Sequence, residues 1–295
     1  RGKVIRDLIA RFSNDLLIGK KIKSGELRKR AVDLEPEWKC PEQFTNTMIL
    51  MENFTMELLE PVENVGSRVV LQLHGGGYIA TMKNAYRSFA ALYSELGGNC
   101  RVLTIDYRVA PEHPYPAAFQ DALEAYRWLL YSGFSGDRII LAGDSAGGGL
   151  VLALAMYLRD QSMPLPKKLV MMSPWTDLTA SGPSYQENYE NDPLFGNTRE
   201  SMIYNGEYAG KQDPKLPYIS PLFGDFHGLP PMLFQVGSLE MLLSDSVLAA
   251  QKAKEAGCDV TLTVYQDMFH VFQLSMDKLA ESRAAWDEVA AFLGK

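Results

Sequence analysis

The sequence predicts an α/β fold, with a mostly parallel central sheet and helices on both of its faces. Two observations support this fold class. Short apolar runs alternate with longer segments of helical periodicity from about residue 67 to the end of the chain. Runs such as RIILA and KLVMM are apolar on both faces, as strands covered by helices on each side require. A chain of 295 residues is long enough to bury such a core.

The predicted elements follow one another in a regular order. Strands are expected in SRVVLQLHGGGY, CRVLTIDY, DRIILAGDS, KKLVMMSP, PMLFQVGS and DVTLTVYQD. Helices are expected in NAYRSFAALYSELGG, AAFQDALEAYRWLLYSG, AGGGLVLALAMYLRD, LLSDSVLAAQKAKEAG and LAESRAAWDEVAAFLGK. This order assigns residues 46–295 to one α/β domain.

Two segments break the alternation, residues 1–45 and residues of about 180–215. The first begins with an amphipathic pattern and continues at 34–45 as a proline-containing loop. A short amphipathic helix is marginal alone, so we expect its apolar stripe to pack on the domain. That stripe consists of Val4, Ile5, Leu8, Ile9, Phe12 and Leu16. The second segment follows a strand, so it is expected to hang over the sheet edge where ligands bind, as a lid.

The charge of the chain is unevenly distributed. The net charge is −7, yet residues 1–30 carry ten basic and three acidic side chains. Such a basic arm can bind nucleic acid or anionic lipid. We favour the solvated face of a helix that rests on an acidic body. The acidic remainder has no nucleic-acid-binding motif, so we expect no nucleic-acid partner.

Neither the apolar runs nor the cysteines indicate a membrane or secreted protein. No apolar run reaches the ~20 residues of a membrane-spanning helix, and no signal-peptide pattern is visible, so stable membrane insertion is not expected. Cys40, Cys100 and Cys258 are odd in number and widely spaced, without a metal-ligand pattern. That usage is typical of a cytoplasmic protein, and no metal site is expected.

A glycine-rich stretch, GDSAG at residues 143–147, lies where a strand ends and a helix begins. By itself the pattern G-x-S-x-G is weak, and an ordinary glycine-rich bend is the alternative. In this context it is typical of a nucleophile elbow, in which small neighbours allow a strained turn to present the serine. The helix N-terminus also directs free N–H groups at the place where negative charge develops. We therefore predict Ser145 as a nucleophile.

A nucleophilic serine needs a base, and the chain has four histidines. His270 follows the last predicted strand at its carboxyl end, the same sheet edge from which Ser145 emerges. His74 leads HGGGY, His113 lies in the proline-rich PEHPYP, and His227 lies in the loop GDFHGLPP. His270 is therefore the predicted base, with a hydrogen-bonded loop histidine as the alternative.

The third member of such a site is a carboxylate that fixes the tautomer of the imidazole and offsets its charge. The stretch VGSLEMLLSDS follows a predicted strand and offers Glu240 and Asp245. Glu240 lies just past the strand end. Asp245 falls at the start of a helix, where an acid commonly caps the first turn. We predict Glu240 and keep Asp245 as the alternative.

The segment HGGGY supplies an oxyanion hole in this interpretation. Consecutive glycines expose backbone N–H groups, which stabilise the oxyanion formed when a carbonyl becomes tetrahedral. We assign the hole to Gly76 and Gly77, together with the N–H group of Ala146. A plain glycine-rich bend is the alternative, but its occurrence together with GDSAG in this order disfavours it.

The motifs HGGGY, DYRVAPEHPYPAA and GDSAGG together resemble those of the hormone-sensitive-lipase-like family of α/β-hydrolase esterases, in its bacterial carboxylesterase branch. The resemblance runs from about residue 45 to the C-terminus. It implies a cap made of the N-terminal helices and the inserted segment, and hydrolysis of short- to medium-chain acyl esters through an acyl-serine. It also implies that His74 and residues 106–108 organise the site from behind, and that a homodimer is common. Where the family has Asp in D-x-L-x-D, this chain has Glu240.

The predicted function is therefore a carboxylesterase with a small-molecule ester substrate and no cofactor. Because its base must be neutral, activity is expected to rise through roughly pH 6–8. Two alternatives stay open: a non-catalytic small-molecule binder on the same scaffold, and an amidase or deacetylase. Candidate substrate-binding side chains, which pack equally well as cap core, are Tyr78, Trp175, Tyr185, Tyr189, Phe195, Met202, Tyr204 and Tyr208.

Overall fold

A computed structural model describes residues 2–29 and 35–294. These residues form one eight-stranded sheet. Its strands are β1 (Phe44–Leu50), β2 (Thr55–Pro61), β3 (Val69–Leu73), β4 (Arg101–Asp106), β5 (Ile139–Asp144), β6 (Lys168–Met172), β7 (Met232–Gly237) and β8 (Val260–Tyr265). The α-helices are α1 (Gly2–Phe12), α2 (Asp15–Lys23), α3 (Asn84–Leu96), α4 (Ala117–Tyr131), α5 (Ala146–Asp160), α6 (Ser184–Glu187), α7 (Leu243–Glu255) and α8 (Ala280–Gly294).

The strands lie in the order β1-β2-β4-β3-β5-β6-β7-β8. The pairs from β4 through β8 are parallel, whereas β1–β2 and β2–β4 are antiparallel. The sequence analysis predicts the six parallel strands and misses β1 and β2. The reason is physical: β1 lies at the edge with most of its side chains exposed, so it lacks the continuous apolar run of a doubly covered strand.

Successive residues of each central strand point to opposite layers of helices. In β5, Leu141 packs with α4 and α5, whereas Ile140 packs with α3 and α8. This two-sided burial explains why the central parallel strands carry apolar residues on both faces. Because β3, β5, β6, β7 and β8 are parallel neighbours, their carboxyl ends lie on the same side of the sheet, and the loops that follow them converge there.

The N-terminal segment differs from the single amphipathic helix that the sequence predicts. The helix ends at Phe12, and a second one starts after Asn14, whose side chain accepts a hydrogen bond from the N–H of Leu17 at 2.7 Å. This N-cap explains the break, because its backbone is extended and cannot continue α1. The predicted packing of the stripe is also incomplete, since only Ile5 and Ile9 pack on the body. Residues 30–34, which include the start of the predicted loop, lie outside the described residues.

The predicted insertion lies between β6 and β7. It contains α6 and a π-helical turn at Arg199–Ile203. Asp15 of α2 accepts hydrogen bonds from the N–H and hydroxyl groups of Ser201, at 2.9 and 2.8 Å. The N-terminal helices and the insertion therefore touch each other. Within the described part of the chain, we find no helix long and apolar enough to cross a bilayer.

Candidate active site

Ser145 lies in the turn between β5 and α5, with φ 53° and ψ −122°. This conformation is sparsely populated for a residue with a side chain, so the surrounding structure must impose it. The close approach of strand and helix does so. A Cβ atom on Gly147 would lie 2.0 Å from the carbonyl oxygen of Leu73, and one on Gly143 would lie 2.5 Å from the Gly147 carbonyl. The glycines of GDSAG are therefore required by sterics.

His270 lies in the loop after β8 and contacts both predicted partners. Its Nε2 lies 2.9 Å from Oγ of Ser145, and its Nδ1 lies 2.8 Å from Oε2 of Glu240. The imidazole is only 5% exposed. The ring of Phe195, from the insertion, packs against it with 4.6 Å between ring centroids. The three side chains therefore form one continuous hydrogen-bonded chain that is shielded from solvent.

The carboxylate of Glu240 is fully buried and held by further donors. Its Oε1 accepts hydrogen bonds from the N–H of Gly237 at 2.6 Å and from the hydroxyl of Ser173 at 2.7 Å. Its Oε2 is thereby directed at His270. These bonds are charge-assisted, which compensates part of the cost of burying the acid.

Asp245 is also buried, but it serves a different part of the molecule. It accepts hydrogen bonds from the backbone N–H groups of Thr176 and Asp177, at 2.7 and 2.9 Å, and from the hydroxyl of Tyr185 at 2.8 Å. Burial and the nearby carboxylate of Asp177 raise its pKa well above the usual range. Asp245 therefore anchors the loop after β6 rather than the histidine.

The glycine loop after β3 lies beside the serine. Gly76 and Gly77 have φ of 114° and 63°, in the region that favours glycine. Among the described residues, no protein acceptor pairs with the N–H groups of Gly76, Gly77 or Ala146. The loop is fixed by the N–H of Gly75, which donates to Asp144 at 3.2 Å. This is the arrangement expected of donors that await an oxyanion.

Two buried groups support this loop from behind. Asp144 accepts a hydrogen bond from the hydroxyl of Tyr86 at 3.0 Å, and burial raises its pKa to about 7. His74 stacks on Tyr107 with 4.1 Å between ring centroids, and burial lowers its pKa. His74 is therefore a neutral packing residue, placed away from the hydrogen-bonded chain of Ser145.

The sequence analysis misses Ser173, the residue that connects two loops of the site. Its hydroxyl donates to Glu240 and accepts a hydrogen bond from the N–H of Val271 at 3.1 Å. The only sequence signal is its position directly after β6, at the same sheet edge as the other loops. Ser173 holds the acid and the backbone next to His270 in one geometry.

The eight candidate substrate-binding side chains occupy different places. Trp175, Tyr204 and Tyr208 line a cavity of about 260 Å³. Tyr78 stacks on Tyr208, with 3.6 Å between ring centroids, and Met202 lies against the glycine loop. Phe195 covers His270. Two others face away from these positions: Tyr185 donates to Asp245, and Tyr189 is exposed beneath the guanidinium of Arg199.

The insertion is attached directly to the loop of the acid. The Asn188 side chain donates to the carbonyl oxygens of Ser238 and Glu240, at 3.0 and 2.8 Å. Asp192 accepts a hydrogen bond from the N–H of Met241 at 2.8 Å. A movement of the insertion would therefore displace the loop that carries Glu240.

A family model described as the alpha/beta hydrolase fold matches residues 70–274. The chain belongs to this family. It is an enzyme of the esterase class, and the predicted fold class is confirmed. An acetyl-hydrolase of Streptomyces hygroscopicus is 36% identical over 277 residues, which cover 92% of this chain and 91% of the relative. An esterase of Acinetobacter venetianus is 35% identical over 228 residues, which cover 77% and 74%.

Solved structures give the same result. A hormone-sensitive lipase from a metagenome library superposes with a TM-score of 0.87 at 33% identity, covering 99% of this chain and 97% of that one. An esterase from the bacterial hormone-sensitive lipase family has a TM-score of 0.81 at 35% identity, covering 96% and 98%. The resemblance inferred from HGGGY and GDSAGG is therefore confirmed.

Proposed function

We propose that this chain is a carboxylesterase that hydrolyses esters of short- to medium-chain acids through Ser145, His270 and Glu240. The observation that carries the proposal is the hydrogen-bonded chain from Glu240 through His270 to Ser145, at 2.8 and 2.9 Å. A strained turn places the Ser145 hydroxyl at the end of these hydrogen bonds. This is the arrangement of an activated nucleophile.

In the acylation step, Nε2 of His270 accepts the hydroxyl proton as Ser145 Oγ attacks the ester carbonyl carbon. The electron pair of the C=O double bond moves to the carbonyl oxygen. The N–H groups of Gly76, Gly77 and Ala146 donate to this oxyanion. When the pair returns, the bond to the alkoxy group breaks, and the leaving alcohol takes the proton from His270. Glu240 stabilises the imidazolium throughout this step.

In the deacylation step, water takes the place of the alcohol. His270 accepts a proton from this water as its oxygen attacks the acyl carbon. Collapse of the second tetrahedral intermediate breaks the bond to Ser145, whose oxygen recovers the proton. The products are a carboxylic acid and the free enzyme, and neither step uses a metal or a cofactor.

A small cavity beside the serine turn supports small acyl groups; Trp175, which lines it, donates its backbone N–H to the carbonyl oxygen of Ser145 at 2.8 Å. The cavity lined by Trp175, Tyr204 and Tyr208 has a volume of about 260 Å³, just below the roughly 300–1,000 Å³ of pockets that take drug-sized ligands. Phe195 further narrows the space above His270. The name of the Streptomyces relative, an acetyl-hydrolase, points in the same direction.

A cap over the site forms part of this proposal. Its members are the N-terminal segment before residue 46 and the insertion at about 180–215, over a catalytic domain of residues 46–295. The hydrogen bonds from Ser201 to Asp15 join the two members of the cap. Those from Asn188 attach the insertion to the Glu240 loop of the catalytic domain. β1 starts at Phe44, two residues before the proposed boundary.

The test is hydrolysis of p-nitrophenyl esters from acetate to palmitate, with Ser145→Ala as control and its melting temperature as a check on folding. We expect the highest kcat/KM at short chains and no enzymatic hydrolysis by the variant. A matching p-nitroanilide tests amide cleavage, and we expect it to be cleaved far more slowly. Equal hydrolysis by wild type and a folded Ser145→Ala variant would overturn the proposal, as would faster cleavage of the anilide.

A further inference from the structure

A row of apolar side chains on the N-terminal helices faces solvent. Val4, Leu8 and Phe12 follow one another at intervals of four residues, so they lie on one side of α1. They are 71%, 54% and 68% exposed, and Leu16 at the start of α2 is 71% exposed. We call these four residues the α1–α2 face. A protein rarely leaves a row of apolar side chains such as that on α1 uncovered unless it serves an interaction.

The two helices that carry this face are rich in basic side chains. Residues 2–24 carry six basic and two acidic residues. Among the residues that the structure describes, only Lys21 of the six basic side chains lies within ion-pair distance of a carboxylate, 3.6 Å from Glu26. The six are Lys3, Arg6, Arg11, Lys20, Lys21 and Lys23.

The two helices pack on two loops of the proposed site, the loop that carries His270 and the glycine loop. Ile5 and Ile9 of α1 pack in a cluster with Met268 and Phe269, the two residues before His270. Ile22 of α2 packs in a cluster with Ile79, two residues after Gly77. Whatever covers the α1–α2 face therefore lies close to the glycine and histidine loops.

We propose that the α1–α2 face docks on the surface of an anionic membrane, with the helices lying in the headgroup region. A helix that combines an exposed apolar row with several Lys and Arg side chains is typical of a segment that lies in a membrane interface. The phosphate groups of anionic lipids complement the basic side chains while the apolar row enters the acyl boundary.

Charge distinguishes this occupant from a second copy of the chain. The net charge is −7, and residues 1–30 carry ten basic against three acidic side chains, so the rest of the chain carries −14. Two copies joined through this face would bring two basic surfaces together. An anionic membrane instead attracts the basic end and repels the acidic body, so it also orients the molecule.

The test is co-sedimentation with vesicles of phosphatidylcholine, alone or mixed with phosphatidylglycerol. Leu8→Ser/Phe12→Ser removes two of the four apolar side chains of this face without a change in charge. Leu50→Ser/Val62→Ser is the matched control, because these residues are 76% and 56% exposed near the β1 edge of the sheet. Hydrolysis of a water-soluble ester and the melting temperature show whether each variant is folded. Docking does not depend on the proposed function, so vesicle binding stays informative if no ester is hydrolysed.

We expect binding only to vesicles that contain phosphatidylglycerol, weakened by salt. We also expect the α1 double variant to bind at least about tenfold more weakly, whereas the control variant binds like wild type. Three results would overturn the proposal: no binding by wild type, equal binding by both double variants, or a wild-type dimer that only the α1 variant dissociates.

Discussion

The turn at Ser145 and the helices at the N-terminus differ in how closely other atoms approach their glycines. At the turn, an added Cβ on Gly147 would lie 2.0 Å from a backbone oxygen. In α2, Gly19 has no atom within 4 Å of the position where its Cβ would lie. The first region is packed backbone against backbone, whereas α1 contains no buried residue. Tight packing dictates residue identity and leaves a motif in the sequence, whereas loose packing does not.

The largest predicted effect is a difference in kcat between variants of two buried acids, Glu240 and Asp245, which lie five residues apart. In Glu240→Gln, the amide donates to Nδ1 of His270 or accepts from it without a charge, so the imidazolium loses its stabilisation. We expect kcat for a short p-nitrophenyl ester to fall on the order of 10⁴-fold. Asp245→Asn makes the same chemical change, but its partners are Thr176, Asp177 and Tyr185.

For Asp245→Asn we therefore expect kcat within about tenfold of wild type, with the change seen in the melting temperature. Steady-state kinetics of both variants check the pair. If Asp245→Asn loses as much activity as Glu240→Gln while remaining folded, then Glu240 is not the specific partner of His270.

A second pair tests the glycine comparison directly. Gly147→Ala forces a methyl group into the backbone of Leu73, so we expect at least about 4 kcal/mol of lost stability or no folded protein. Gly19→Ala lies in an open helical position and should stabilise the chain by up to about 1 kcal/mol. Urea unfolding measures both changes. A Gly147→Ala variant as stable as wild type would mean that the turn is far less crowded than described.

The third prediction concerns pH. Burial raises the pKa of Asp144 to about 7 from an ordinary value of 3.8. Between these values the folded chain holds a proton that the unfolded chain has lost, so this group lowers stability as pH rises from about 4 to 7. Asp144→Asn removes that loss. We expect the variant to gain about 2–4 kcal/mol over wild type across this window.

Urea unfolding at several pH values measures the gain. The informative quantity is the difference between the two proteins, since other groups titrate in both. A difference that is constant from pH 4 to 8 would show that Asp144 keeps its ordinary pKa in the folded chain.

The smallest effect is expected in the cap. Asp15→Ala removes two hydrogen bonds to Ser201, which connect α2 to the insertion beside the apolar contacts of Met202. Because Asp15 is partly exposed, we expect a loss of about 1 kcal/mol or less. KM should rise more than kcat falls, since the reacting groups keep their bonds. A large fall in kcat at unchanged KM would show that the cap positions the reacting groups themselves.

Much of the site at the carboxyl ends of the parallel strands was predictable, because each of its loops follows an apolar strand. The sequence analysis selects Ser145, Glu240 and His270, and the structure brings their side chains within hydrogen-bonding distance. It could not identify Ser173 or Asp144 as supports, because their roles depend on hydrogen-bond geometry that residue spacing does not show. It also missed β1 and β2; β1 lies at the exposed edge of the sheet and lacks an apolar run. The exposed row on α1 was read as a packing stripe, since periodicity does not reveal what covers a face.

The most direct test of the central claim is covalent labelling with phenylmethylsulfonyl fluoride, followed by peptide mass mapping. This reagent sulfonylates a serine hydroxyl only when a base activates it. We expect one adduct, on Ser145, formed in proportion to the loss of esterase activity and much more slowly in Glu240→Gln. An adduct on another residue, or loss of activity with Ser145 unmodified, would contradict the account.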